Sequence, residues 1–297
     1  MKLEFIIFMV NIIDGKALAE KIKDEIVKEI VKINQGRIGD AYKRPNLAII
    51  LVGEREDSKL YVDLKEKEAK KVGIDTHLYK CNDKISEREI LDMIDCLNND
   101  TSVDAILVQL PLPAGFDTDA IIMSINPAKD VDGFHPANLA KLFKTCDNTD
   151  IIPPVHEAVI EILKSIAYNL KDKQACLISN SDIFGKSLTH ILTCQGAKVA
   201  ITNVKDKAMA KKTSVADILI TAVGKPEFIK KDLIKKDAVI IDIGITKRGK
   251  EVVGDVDFNS VKDKAGYLTP VPGGVGPLTI AMAFKNTLKL YKLRNKI

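Results

Sequence analysis

PNLAIILVG, residues 45–53, is a continuous apolar run of branched side chains, short for a helix and closed by a glycine. A strand apolar on both faces belongs inside a parallel sheet covered by helices. The segments around it agree. SKLYVDLKEKEAKKVG (58–73) reads as a helix with Ser58 as cap and Gly73 as stop, and SEREILDMIDCLNND (86–100) as another. VDAILVQLPLP (103–113) is a strand that stops at Pro111. Upstream, DGKALAEKIKDEIVKEIVKI (14–33) places apolar residues at helical spacing behind Asp14, which can cap the first turn. Strands alternating with helices imply right-handed crossovers and a parallel sheet.

Residues 114 to about 150 are loop-rich, with NPAKDVDGFHPAN (126–138) as a long irregular connection. Beyond them QACLISN (174–180) and AKVAIT (197–202) are strands around the helix GKSLTHILTCQG, and ADILITAVG (216–224) and AVIIDIG (238–244) are buried strands. That is a second, doubly wound, Rossmann-like unit. GPLTIAMAFKNTLKLYKL (276–293) is an amphipathic terminal helix. The expected fold class is therefore α/β with two domains. Residues 1–150, completed by 278–297, form an α/β catalytic domain, and 151–277 form a parallel-sheet nucleotide-binding domain.

Composition narrows the function classes. The 297 residues suffice for two cores, and the 45 basic and 41 acidic residues are interleaved throughout. Runs such as KEKEAKK (65–71) read as solvated helix faces, and the chain has no Trp, so nucleic acid is not the expected partner. FIIFMVNII (5–13) is too short to span a bilayer and lacks a signal-peptide cleavage site; a strand at 10–13 and initiation at Met9 are expected instead. Five scattered cysteines without a CxxC, or a histidine at ligand spacing, suggest reduced thiols in the cytoplasm and no structural metal.

Five stretches can carry chemistry. Ser58, Tyr61 and Lys65 share one helix face, so an aromatic ring could stack on a flat heterocycle while an amine reaches a reacting atom. In a helix this rich in lysine, a solvated Lys65 is the ordinary reading. Gln109 ends a strand at the carboxyl edge of a parallel sheet, where open α/β folds bind ligands, and Pro111 and Pro113 make a ledge after it. KDVDG (129–133) presents two carboxylates before a glycine, although Asp and Gly are also turn residues; His135 is given no role. SNSDIFGKS (179–187) sits between strand and helix, where amides can cradle phosphate. It misses the GxxxxGK[ST] pattern by one residue, and VIIDIG (239–244) resembles the acidic strand that accompanies it, so a P-loop nucleotidase is a rival. TPVPGGVGPLT (269–279) packs three glycines and three prolines into a stiff loop before the last helix.

Taken in order, IIDGKALA (12–19), VGEREDSKLYVDLKEKEAKKVGI, VQLPLP, INPAKDVDGFHPANLAKL, AVGKPEFI, VIIDIGI, VVGDVDF and TPVPGGVGPLTIAM resemble the bifunctional methylenetetrahydrofolate dehydrogenase/methenyltetrahydrofolate cyclohydrolase (FolD-type) family. The resemblance implies a homodimer that oxidises 5,10-methylenetetrahydrofolate with NADP and hydrolyses the methenyl product to 10-formyltetrahydrofolate. It implies Lys65 as the catalytic acid/base, Gln109 as the residue orienting it, Tyr61 as the ring stacking on folate and Asp132 as the pterin-binding acid. Gly273, Gly274, Gly276 and Pro277 would line the place where folate meets nicotinamide. Ser179, Asn180, Ser181, Gly185 and Ile245 would contact the cofactor.

The departures cluster in the nucleotide domain. Where the family reads GRSxxVGxP, Ser179 stands for Gly, Asn180 for Arg and Ser187 for Pro; Asn203-Val204 stand for His-Ser, and IPPVHEA (152–158) keeps one Pro of PCTPxG. Losing the arginine removes a strong phosphate contact. Lys186 or Lys205 could substitute for it, or NAD could be the cofactor. A cyclohydrolase with a weak dehydrogenase, and a non-catalytic folate-binding relative, are the remaining alternatives.

Overall fold

The computed structural model describes residues 10–39, 42–146, 151–249 and 251–297. The expected start at Met9 and most of the 5–13 stretch lie outside them. The chain forms two compact units. One takes the residues up to Leu18 with Ala158–Leu278, and the other takes Ala19–Glu157 with Thr279–Ile297. Among the described residues no helix is long and apolar enough to cross a membrane.

The second of these units is built on a three-stranded parallel sheet, ordered β3 (Asp75–Cys81), β2 (Asn46–Val52), β4 (Ala105–Val108). β2 is central, as its unbroken apolar run requires, with Ile49 opposite Leu78 on one side and Leu107 on the other. β3 escapes the sequence reading because DTHLYKC alternates exposed and half-buried positions, the pattern of an edge. Helix α2 (Glu56–Val72) follows β2, and α3 (Glu87–Asn99) follows β3. Gly73 stops α2 at φ 79°, a left-handed cap, as the sequence suggests. The start differs: α2 begins at Glu56 after Arg55, so Ser58 is buried inside the first turn and is not the cap. α3 opens on a capping box in which Ser86 and Glu89 bond reciprocally. Ala48, Ile50, Ile90, Ile94, Ile106 and Ile121 fill the core of this unit.

The other unit holds a six-stranded sheet, all parallel, ordered β1 (Asn11–Ile12), β11 (Tyr267–Leu268), β8 (Val239–Asp242), β7 (Ile218–Ala222), β5 (Gln174–Ser179), β6 (Lys198–Thr202). Strand β1 thus extends this sheet and not the three-stranded one, because Asn11 and Ile12 pair with Tyr267 and Leu268. Asp14 caps α1 (Gly15–Ile33), accepting the amide of Ala17 at 3.0 Å. Strand order reverses between β5 and β7, and a doubly wound sheet opens a ligand crevice at such a switch, at the carboxyl ends of its strands. Helix α7 (Asp182–Cys194) starts at that point. Two parts of the cysteine reading fail here. His190 and Cys194 lie one turn apart on α7, with Sγ 3.5 Å from Nε2, so a histidine does stand at ligand spacing from a cysteine, and Cys194 is disulfide-bonded and not the reduced thiol expected. The remaining helices are α4 (Thr118–Ser124), α5 (Pro136–Leu142), α6 (Pro154–Ser165), α8 (Met209–Thr213), α9 (Phe258–Val261) and α10 (Val275–Asn295). β9 (Thr246–Arg248) and β10 (Glu251–Val253) pair as a separate antiparallel ribbon.

Candidate active site

Three predicted residues of the unit with the smaller sheet, Lys65, Gln109 and Asp132, converge, and Tyr61 stands beside them on the helix of Lys65. Tyr61 and Lys65 are a turn apart on α2, and Lys65 is 9% exposed, so the surface-lysine reading fails. Its Nζ donates to Gln109 Oε1 at 2.9 Å. Gln109 follows β4 directly and is held at both ends. Its amide N–H donates to the carbonyl of Ile50 at 2.8 Å, and its Nε2 donates to Leu110 O at 2.7 Å. The Leu110–Pro111 peptide after it is cis.

KDVDG reaches the same place by pairing with β4, since Asp130 bridges Ile106 and the Ile106 amide donates to Lys129 O at 2.7 Å. Its two acids then separate in role. Asp130 is buried and spent on structure, accepting the amides of Gly133 and His135 and the Asn138 side chain. The oxygens of Asp132 have no hydrogen-bond partner among the described residues, while Lys65 lies close enough to act on it electrostatically. Burial pushes the Asp132 carboxyl up to about 6, against the pull of Lys65 and helped by Asp130. Burial also lowers the Lys65 ammonium below its ordinary value, with Asp132 opposing, and raises the Tyr61 phenol, which stays protonated. A depressed lysine beside an unsatisfied carboxylate is the pairing that acid/base chemistry uses. His135, given no role from the sequence, has a structural one: it caps α5 by accepting the Ala137 amide at 3.0 Å.

Asn286 is a residue of this region that sequence reasoning missed. It sits on α10, is 2% exposed, and donates to Val131 O at 2.9 Å and Ile152 O at 2.8 Å, so it pins the loop that carries Asp132. The available signal was one Asn inside an apolar helical stripe, IAMAFKNTL.

In the six-stranded unit the crevice edge is Ser179, Asn180 and Ser181. The Ser181 amide donates to Ser179 Oγ at 3.0 Å, Asn180 Nδ2 donates to Val223 O at 3.4 Å across the switch, and Ser181 Oγ caps α7 by accepting the Phe184 amide. Gly185 is buried against β6 and Ile245 is 43% exposed beyond β8. The donor set is a capped helix N-terminus with hydroxyl and amide side chains, which suits a pyrophosphate. Exposed Lys186 and Lys205 are nearby cations in sequence.

The P-loop reading is overturned here. Helix α7 already begins at Asp182, so Gly185, Lys186 and Ser187 lie within the helix and cannot wrap a phosphate. Ser187 is buried, and its hydroxyl donates back to Ile183 O at 2.7 Å, within its own helix. Asp242, the acid of VIIDIG, is equally engaged, accepting the amides of Gly244, Asp255 and Val256.

The stiff loop is explained by crowding. A Cβ on Gly15 would collide with the carbonyl of Gly274, so α1 begins in direct backbone contact with the loop. Gly273 adopts φ 107°, a conformation that glycine alone takes readily. Gly276 and Pro277 lie in the first turn of α10.

Two family models match this chain. The one described as tetrahydrofolate dehydrogenase/cyclohydrolase, catalytic domain, covers residues 13–132, and its NAD(P)-binding domain counterpart covers 153–295. The bifunctional protein FolD of a Nitratiruptor species is 43% identical over 286 residues, 96% of this chain and 99% of that one. Among solved structures, the FolD methylenetetrahydrofolate dehydrogenase/cyclohydrolase of Campylobacter jejuni superposes with a TM-score of 0.89 at 38% identity, covering 97% and 100% of the two chains. The Trypanosoma brucei enzyme, solved with NADP and an inhibitor, gives 0.91 at 30% identity, covering 97% and 99%.

Proposed function

The chain belongs to the tetrahydrofolate dehydrogenase/cyclohydrolase family, and we propose that Lys65, Gln109, Tyr61 and Asp132 carry its folate chemistry while the crevice at Ser179–Ser181 holds its dinucleotide. As a bifunctional enzyme it oxidises 5,10-methylenetetrahydrofolate to the methenyl form with a nicotinamide dinucleotide, then hydrolyses that product to 10-formyltetrahydrofolate.

The observation that carries the residue assignment is the buried Lys65 amine, 2.9 Å from Gln109 Oε1 and beside Asp132. Hydrolysis begins when water adds to the cationic methenyl carbon and one proton leaves. The carbon–N5 bond then breaks as N5 gains a proton and the new hydroxyl loses one, leaving the formyl group on N10. An amine with a lowered pKa can accept the first proton and return one to N5; an ordinary lysine, near 10.4, would stay charged. Gln109 fixes where that amine points. Asp132 offers two oxygens to the adjacent N–H donors of a pterin, a bidentate match, and Tyr61 supplies a protonated ring to stack on it. We assign Gly273, Gly274, Gly276 and Pro277 to substrate contacts.

The nicotinamide supplies the hydride acceptor when bound; the residues here position it. The amides at the start of α7, with Ser179, Asn180, Ser181 and Gly185, would hold the pyrophosphate, and Ile245 would cover the cofactor. We propose NADP as the preferred dinucleotide, with Lys186 or Lys205 taking the 2′-phosphate in place of the missing arginine; NAD is the alternative. A homodimer in the cytoplasm completes the proposal. The test is a pair of assays on the purified protein. Methenyltetrahydrofolate should be hydrolysed with no nucleotide added, and a flat trace would sink the Lys65 assignment. Methylenetetrahydrofolate oxidation is then compared with NADP and with NAD; faster turnover with NAD reverses the cofactor assignment.

A further inference from the structure

Two aspartates sit where the chemistry above has no use for them. Asp242 is 3% exposed and Asp255 is fully buried, both near the carboxyl ends of the six-stranded sheet. Asp255 Oδ2 accepts the Thr221 hydroxyl at 2.9 Å and the Val223 amide at 2.8 Å, and its Oδ1 accepts the Lys225 amide at 2.8 Å. Asp242 Oδ1 in turn accepts the amide of Asp255 itself, at 3.1 Å, and Oδ2 that of Val256 at 2.9 Å. The Asp242 amide donates to Thr269 Oγ1 at 2.8 Å, at the root of the Gly273–Pro277 loop. The two acids are accommodated by missing side chains: a Cβ on Gly254 would collide with Asp242, and one on Gly244 with Asp255.

Two carboxylates are buried with no cation bonded to either among the described residues, which is unfavourable unless their acceptor sites are filled. Here they are filled almost wholly by backbone amides of the segments leaving β7, β8 and β10, with Thr221 and Thr269 closing the two ends of the chain of bonds. Burial and the neighbouring Asp255 push the Asp242 carboxyl up to about 7, against its amide donors. The segment that Asp255 grips, 221–225, is one lip of the switch-point crevice; Asn180 on the other lip donates to the Val223 carbonyl. Gly224, at φ 67°, makes that lip a turn that its own sequence would leave loose.

We infer that Asp255 is a positioning residue for the dinucleotide, holding the 221–225 turn at the geometry the cofactor needs, with Asp242 holding Asp255. The inference rests on the reading of the switch point as the dinucleotide site. Because hydrolysis of methenyltetrahydrofolate needs no nucleotide, the same protein carries an internal control.

The experiment compares wild type, D255N and T221V, titrating each with NADP by calorimetry and assaying both reactions. In D255N one oxygen becomes an NH2 group facing an amide donor, so one end of the turn is released. The NADP Kd and dehydrogenase KM should rise about tenfold in D255N, the effect of one buried donor left unsatisfied. They should rise severalfold in T221V, with nucleotide-free hydrolysis within twofold of wild type in both. Folded variants that bind NADP as wild type does overturn the positioning role, and so do variants in which both activities fall in parallel. If D255N does not fold, T221V decides by the same ratio of activities. Wild-type protein that binds neither NADP nor NAD overturns the dinucleotide reading along with it.

Discussion

Replacing Lys65 with methionine separates a catalytic lysine from a structural one, because the two roles predict opposite effects on stability. Methionine nearly matches the length of the buried stem and removes the charge together with its hydrogen-bond donors. The amine now makes one hydrogen bond, to Gln109 Oε1 at 2.9 Å, worth about 1.5–3 kcal/mol for a charged donor. Against that stands the desolvation of an ammonium on a residue 9% exposed, a penalty of several kcal/mol. The lowered pKa of Lys65 says that desolvation outweighs the help it receives from Asp132. Loss of Lys65 removes the charge that restrains Asp132, whose carboxyl then rises further above about 6 and partly neutralises near pH 7. The opposing terms nearly cancel. Unfolding free energy should therefore change by no more than about 1 kcal/mol or increase, a melting shift within about 4 °C. Hydrolysis of methenyltetrahydrofolate, followed without nucleotide by loss of its absorbance, should fall about 10²–10⁴-fold, the range of a lost general acid/base. Folate binding, measured by calorimetry, should persist. A stability loss of about 3–5 kcal/mol, the signature of breaking a buried structural pair, with hydrolysis retained within tenfold, would refute the reasoning.

Three other substitutions probe the same unit. Wild-type KM for methenyltetrahydrofolate should rise as pH falls through about 6, since Asp132 accepts two N–H donors only when ionised and is ionised above that value. Asp132→Asn should raise KM by about tenfold or more at pH 7.5 and flatten the profile between pH 5 and 7; an unchanged profile would show that another group titrates. Asn286→Leu leaves the carbonyls of Val131 and Ile152 buried without their donor, so it should destabilise by about 2–4 kcal/mol and raise the folate KM. Lys285→Ala, one residue away and removing only a solvent-facing pair with Glu157, should cost at most about 1 kcal/mol by urea denaturation. Equal effects of the two would remove the pinning role of Asn286.

What was legible in the sequence and what was not divides along the range of the interactions. PNLAIILVG could be read as a central strand because burial on both faces leaves a continuous apolar run, and Gly73 could be read as a helix stop because the left-handed cap selects its residue. Strand β3 could not, since an edge strand with one wet face has no such run. Helix α2 defeated the expected cap for a related reason: Ser58 is a favoured cap residue, but Arg55 precedes the first turn and tertiary burial of Ser58 outweighed local preference. Local patterns also misled at 179–187. GKS matches a phosphate-binding string, yet the string specifies nothing unless the residues before it form an open loop, and here they are helical from Asp182.

The candidate site shows the same limit from the other side. Lys65 and Gln109 are 44 positions apart, and no spacing rule joins them; only the adjacency of β2 and β4 in a parallel sheet does. Once that sheet is in place, the ordinary odds for a lysine on a charged helix no longer apply, because α2 turns this one lysine inward while Lys59, Lys67 and Lys70 stay exposed or partly so. Choosing between Asp130 and Asp132 needed the hydrogen bonds and not the motif. Two acids at i and i+2 are equivalent in sequence, whereas in the fold one carboxylate is saturated by Gly133, His135 and Asn138 and the other has no such partner. A desolvated acid that the protein leaves unsatisfied is costly to folding. Its persistence beside a lysine whose charge is also disfavoured by burial is the physical reason to place the reaction between them.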